Sequence, residues 1–365
     1  MFNRIFAKRS HRVLLVCGIA VVAGLTIAHA WLRSTIATQL ADRTCIQSGA
    51  TSTCYQPKTL SHQAITAIAI SPNGRLLVSG SRQVIQVWDL ATGTLQSNWQ
   101  GHDDWITALA VSPDNRTLAS SSLDQTLKLW NLQTGDRVAT IHSGRITSLS
   151  FSPNGRWLAG GSRIGRWTDG VLSIGGVQIW TMATRRLFDR IGKGSVNALA
   201  FSPDGQQLAL GKTNTQIWLL RNDKRIRTLN SGELTSLVFS RDGRLLITGS
   251  SKTKIWRMAS GTLMRTLNSS SSDLALSHDG RLLAAASGGT IHLWQSATWD
   301  FEKSLRASWY SGLFIAFGLG DRALVSGSSD GIKLWRSAEA TAQISHSALN
   351  LRQTDRTDVR FGEQD

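Results

Sequence analysis

Beyond residue 58 the chain is a succession of short runs in which apolar residues alternate with small or polar ones. "ITALAVS", "ITSLSFS", "VNALAFS" and "LTSLVFS" each end at a tight turn, and β-favouring runs such as "RLLVSGS" and "RTLASSS" follow it. The turns are Ser71-Pro72-Asn73-Gly74, Ser112-Pro113-Asp114-Asn115, Ser152-Pro153-Asn154-Gly155, Ser202-Pro203-Asp204-Gly205, Ser240-Arg241-Asp242-Gly243, Ser277-His278-Asp279-Gly280 and a degenerate Gly318-Leu319-Gly320-Asp321. Pro presets one backbone angle of such a turn, and Gly or Asn accepts a left-handed one. About 16 to 18 residues later comes Trp88, Trp130, Trp218, Trp256, Trp294 or Trp335, with Trp180 delayed to 28. A third run ("TLKLW", "VQIW", "TIHLW") precedes the tryptophan, and a fourth, such as Arg227-Thr228-Leu229, precedes the next unit. Seven units of four short strands are predicted, a period that builds stacked or radial architectures.

These residues resemble the WD-repeat family, over roughly residues 58–335. Unit two matches best: Gly101-His102, Ser120 and Ser122, Asp124, and Trp130-Asn131 where the family often has Trp-Asp. The resemblance implies an all-β, seven-bladed propeller of four-stranded antiparallel blades. It also implies that His102, Ser120, Asp124 and Trp130 form a hydrogen-bonded set bracing the blade. His62 and His142 look like matching histidines, and Asp330 with Trp335 repeats part of the pattern in unit seven. Units four to six have neither histidine nor turn aspartate, so their stability is expected to come mainly from apolar packing between neighbours. Lys58-Thr59-Leu60 is expected to supply the outer strand of the last blade and close the ring; "AEATAQISHS" in the tail is the other candidate.

The first residues break this pattern. Arg4, Lys8, Arg9 and Arg12 precede "VLLVCGIAVVAGLTIAHAW", a run with no acidic residue, Lys or Arg. As a helix it is roughly 28 Å long, about one hydrocarbon thickness. The positive-inside bias puts its N-terminus in the cytoplasm and the propeller on the other side. Two readings stay open: a retained single-pass anchor, and a signal peptide cleaved after Ala30 at Ala28-His29-Ala30, which releases a secreted or periplasmic domain. The expected organisation is 1–34 signal-anchor or signal peptide, 35–57 linker, 58–335 propeller and 336–365 polar tail. In an oxidising compartment Cys45 and Cys54 are expected to pair within the linker.

Forty Lys and Arg against 24 Asp and Glu leave the chain at +16, a surface that attracts anions. An exported domain rarely meets nucleic acid, and the basic residues are not interleaved with aromatics for base stacking, so an acidic protein or anionic lipid is the expected class. No nucleophile elbow, phosphate loop or metal-protease motif is present, and the innermost runs of units one to five carry no Asp, Glu, His or Cys. His62, His102 and His142 at equivalent places read as structural rather than as a metal cluster. No catalytic, cofactor or metal residues are assigned.

Function is therefore expected on loop faces. Six of the seven turns are followed by arginine, Arg75, Arg116, Arg156, Arg244, Arg281 and Arg322, with Gln206 the exception; Arg185 and Arg186 are expected on the same face. The opposite face is expected to carry Arg82, Arg145, Lys193, Lys212 and the unit-three insertion "RIGRWTDGVLSIGG". There Arg163, Arg166, Trp167 and Asp169 have the chemistry of an interaction hot spot. The reading is a noncatalytic protein-interaction scaffold at or beyond a membrane. The alternatives are a propeller hydrolase or lyase with a loop-built site, and a cytoplasmic tethered scaffold.

Overall fold

In the computed structural model, each landmark turn reverses the chain between two antiparallel strands. It describes residues 45–48, 51–163, 175–221, 224–309 and 312–337. Two compact units are distinguished, residues 1–54 and 55–365. In the first, Cys45–Ser48 pairs antiparallel with residues 51–54, Cys45 opposite Cys54.

The second unit is a seven-bladed propeller. Six blades are four-stranded meanders, for example Ile106–Val111, Thr117–Ser122, Thr126–Asn131 and Arg137–His142 in blade two. Blade seven takes Phe314–Gly318, Ala323–Ser328 and Gly331–Ser337 from the C-terminal side. Its outer strand comes from residues 55–61, in register Lys58 opposite Leu334. The expected ring closure by Lys58-Thr59-Leu60 is thus met, and the strand Thr51–Ser61 runs back into the stretch expected to be linker. The seam is also clasped by side chains: the Arg336 guanidinium donates to the carbonyls of Leu90 and Ala91, and Lys58 Nζ to Thr92 O at 3.1 Å.

The turns form because their last position is left-handed. Gly occupies it in five blades (φ 68–72°), Asn115 takes it in blade two and Asp321 in the degenerate seventh. The apolar core is divided among the blade interfaces: Val78, Ile85, Ile106 and Leu118 fill that of blades one and two, Leu77, Leu90, Val325 and Leu334 that of blades seven and one. Every neighbour supports the next.

The recurrent tryptophan bridges strands. Trp88 Nε1 donates to Ser79 Oγ at 3.0 Å, Trp130 to Ser120 at 2.8 Å, Trp256 to Thr248 at 2.9 Å and Trp335 to Ser326 at 2.9 Å. In blade three the corresponding position is Gly160, where an added Cβ would lie 2.9 Å from the Trp180 ring. A β-bulge at the tryptophan shifts the outer pair in blades one and three to six, and blade two has its shift opposite Trp130.

A second recurrent residue adds polar bracing to the apolar packing between blades. Two positions before each tryptophan stands a long polar side chain: Gln86, Lys128, Gln178, Gln216, Lys254, His292 and Lys333. Four of these reach the loop that enters their blade: Lys128 Nζ to Gly101 O (2.9 Å), Gln178 Nε2 to Ser143 O (2.7 Å), Lys254 Nζ to Ser231 O (3.2 Å) and Lys333 Nζ to Ala307 O (2.6 Å). The three lysine bonds are charge-assisted and stronger than neutral ones. Together the four bonds fix the entry loops of blades two, three, five and seven.

Candidate functional site

Blade two contains the complete polar relay. Trp130 Nε1 donates to Ser120 Oγ, which lies 2.7 Å from His102 Nε2, and His102 Nδ1 lies 2.8 Å from Asp124 Oδ2. Because the carboxylate only accepts, Nδ1 carries the proton and Nε2 accepts from Ser120. Burial pushes the His102 pKa below its ordinary value despite the neighbouring acid. Burial opposes charge on Asp124 too. Hydrogen bonds from the Thr126 hydroxyl and amide, the Asp103 amide and His102 nonetheless hold its pKa at about 2. The arrangement is a fully satisfied brace.

Blade seven has its halves: Trp335 on Ser326, and Asp330 accepting from Ser308 Oγ at 2.6 Å and Trp309 N at 3.1 Å. Backbone pairing corrects the expectation for the other histidines. Gly101 N and His102 N both donate to Gln83 O, whereas in blade three the equivalent donors to Gln125 O are Ser143 and Gly144. Gly144 therefore stands where His102 does, and His142 is two residues out of step and exposed; His62 is exposed as well.

The landmark turns share a face with the turns between strands three and four, as expected. Leu90 N donates to Arg75 O, Leu132 N to Arg116 O, Met182 N to Arg156 O, Met258 N to Arg244 O and Ser296 N to Arg281 O. Arg75, Arg116, Arg156, Arg244, Arg281 and Arg322 are all exposed. The amides of the first five donate at 2.9–3.0 Å to the turn Asn or Asp, which also accepts from the turn serine. Those serine and amide bonds lower the pKa of Asp114 and Asp242. The guanidinium pairs Arg244–Asp242 and Arg281–Asp279 are long, 3.7 Å, and open to solvent, so they tie up little of the positive charge.

On the opposite face Arg163 Nε donates to Asn197 Oδ1 at 2.8 Å. Arg166, Trp167 and Asp169 lie outside the described residues. Arg82, Arg145 and Lys193 are exposed. Lys212, expected beside them, is buried and donates to Lys193 O at 2.5 Å, with its pKa lowered by burial; it clasps a loop rather than offering charge. The sequence reading missed Trp105 and Trp309 on this face, 53% and 81% exposed, the latter with Arg306 4.8 Å from its ring centroid. Their signal was present: neither sits at the strand position of the repeating tryptophan.

The WD domain, G-beta repeat family matches residues 54–89, 93–131, 135–174, 223–257 and 261–295, about half of the chain. The chain belongs to the WD-repeat family. The matched segments omit most of blades four and seven, which nevertheless form antiparallel sheets in the same strand order.

The channel of this WD-repeat propeller is walled by apolar and hydroxyl side chains, with one ionisable residue on its seven innermost strands, Asp273 of blade six. Its Oδ1 accepts from Ser236 Oγ and Leu274 N at 2.9 Å, and its Oδ2 from Ile315 N at 2.9 Å, joining blades five, six and seven. Burial pushes its pKa up to about 6 against those bonds. Among the described residues no group of three or more His, Cys, Asp or Glu is placed to hold a metal ion. WD-repeat membership supports a noncatalytic interaction scaffold.

Proposed function

We propose that this WD-repeat protein is a noncatalytic scaffold that binds a protein partner on its loop faces, tethered or exported through its N-terminal segment with the propeller on the non-cytoplasmic side. The observation that carries this reading is a division of labour among polar groups. His102, Asp124, Asp330, Lys128, Lys333 and Asp273 are engaged in bracing the blades, while the six arginines that follow the landmark turns are exposed to solvent. An enzyme concentrates perturbed titratable groups in one pocket; here the perturbed groups are spread over separate blades.

The membrane part rests on residues 13–31, which lie outside the described residues. No helix among the described ones is long and apolar enough to cross a membrane. The blade-three insertion stays a candidate contact on the face bearing Arg82, Trp105 and Trp309. The disulfide proposal is supported by register: opposed residues of an antiparallel pair have Cα atoms about 4.5–5.5 Å apart, within disulfide range.

The test is stoichiometric capture by the full chain in its native membrane. Arg166→Ala or Trp167→Ala is expected to weaken a complex formed on the insertion face, and Arg156→Ala one formed on the turn face, each with little change in thermal stability. Turnover of a small molecule, abolished by one substitution in a single pocket, would overturn the scaffold reading.

A further inference from the structure

Blade three departs from its neighbours at one backbone position. In the turn between strands three and four, the residue whose amide closes the turn is left-handed: Gly93 in blade one, Gly135 in blade two, Gly261 in blade five. Blade three places Arg185 there at φ 58°, its amide bonded to Thr181 O at 2.7 Å. Trp299 does the same in blade six, but it is 5% exposed and packs into the core, which compensates the backbone. Arg185 is exposed, so core packing gives no such compensation. A non-glycine residue held in this region without packing reward points to a use for its side chain.

The surroundings indicate that use. Arg185 lines a groove of about 500 Å³ between blades two and three, whose apolar lining includes Pro113, Leu129, Val138, Phe151, Pro153 and Met182. Its Nη1 reaches Val138 O at 3.5 Å, across the groove from its own blade. Val138 is 41% exposed. The two turns of blade three on this face, residues 152–157 and 181–187, hold Arg156, Arg185 and Arg186 and no acid; Asn154 stands where blades two, four, five and six have aspartate. The carboxylate on the groove wall, Asp114, is already engaged by Ser112 Oγ at 2.5 Å and Arg116 N at 3.0 Å.

From this we infer that the groove between blades two and three is a docking site for an acidic polypeptide segment with apolar side chains, its carboxylates meeting Arg156, Arg185 and Arg186 while its apolar groups enter between Val138 and Met182. The inference rests on the scaffold reading and locates its partner. A peptide fits better than a membrane because the apolar surface is recessed between two blades, where a chain can enter and a bilayer surface cannot. Lipid head groups would instead meet the whole arginine ring.

The test uses the full chain in detergent and a fluorescein-labelled peptide of glutamate and leucine, followed by fluorescence anisotropy. Arg185→Gly is expected to weaken binding at least about fivefold while leaving Tm unchanged or raised, since glycine is at ease in that turn. Arg281→Ala, on the same face beside its own Asp279, is expected to leave affinity within about twofold, the scale of one exposed and screened charge. Val138→Asp is expected to weaken binding without removing an arginine. Equal losses from Arg185→Gly and Arg281→Ala overturn the groove in favour of diffuse attraction. Binding to phosphatidylserine vesicles but not to the peptide overturns it in favour of a membrane. In either case partner capture on another part of the loop faces leaves the scaffold reading standing; absence of capture on both faces removes both.

Discussion

Asp273 Oδ2 in blade six accepts the backbone amide of Ile315 in blade seven at 2.9 Å. Blades two to five are latched to their successors differently, through Thr107, Thr147, Asn197 and Thr235 side chains donating to the carbonyls of Ile146, Val196, Leu234 and Ser271. At blade six the latch changes polarity and becomes ionisable.

Burial raises the Asp273 pKa to about 6, so the folded protein holds that proton more tightly than the unfolded chain does. The stability it contributes is complete below about pH 4 and is lost as pH rises through 6, by roughly 2–3 kcal/mol. No Asp, Glu, His, Lys or Arg occurs on the strands packed against it, Ser236–Phe239, Leu245–Gly249, Leu282–Ser287 and Phe314–Gly318. Chemical denaturation of wild type and Asp273→Asn across pH 4 to 7.5 checks this. The difference between them is expected to carry the slope. The variant itself is expected to lose about 1 kcal/mol at pH 4, because a carboxamide accepts from one side only.

His102 works in the opposite direction. Its pKa is lowered by burial, so acidification below its ordinary value protonates the unfolded chain first and destabilises the fold. His102→Ala leaves the Ser120 hydroxyl proton without its acceptor and takes one donor from the Asp124 carboxylate; a loss of about 2–3 kcal/mol at pH 7 is expected by thermal or chemical denaturation. His142→Ala, two residues out of step and exposed, is expected to stay within about 0.5 kcal/mol.

The number of blades, their turns and the closing strand were legible in the sequence because period, turn chemistry and strand alternation all report the same local geometry. The face of the arginines was legible too, since strand order in a meander fixes it. Register was not: His142 matches His102 when counted back from the following strand, and only the shared carbonyl acceptors reveal the slip. Nor was burial. Lys212 reads as surface charge until its side chain is seen folded beneath the Lys193 loop, and Asp273 reads as one more polar residue in "SSSSDLALS" until the neighbouring blades converge on it. Side-chain bonds between residues some 40 positions apart leave no mark on a local pattern.

The proposed topology rests on the N-terminal segment, which lies outside the described residues. Mass spectrometry of the mature chain under non-reducing conditions is expected to show Cys45 and Cys54 joined, two hydrogens lighter than the dithiol. With the anchor retained, Cys17 remains a free thiol; after cleavage at Ala30 no free thiol remains. Protease added to intact cells is expected to reach the propeller, and protection would place it in the cytoplasm.

The central claim, that the loop faces bind a protein, is tested most directly by photo-crosslinking in living cells. The full chain would carry a photoreactive residue at position 75, 156, 185 or 244 on the turn face, at 82, 105 or 309 on the opposite face, or at 97 on an outer strand as control. The account predicts a discrete protein adduct from positions clustered on a loop face and none from position 97. Adducts absent from both faces, or equally strong from the outer strand, would contradict it.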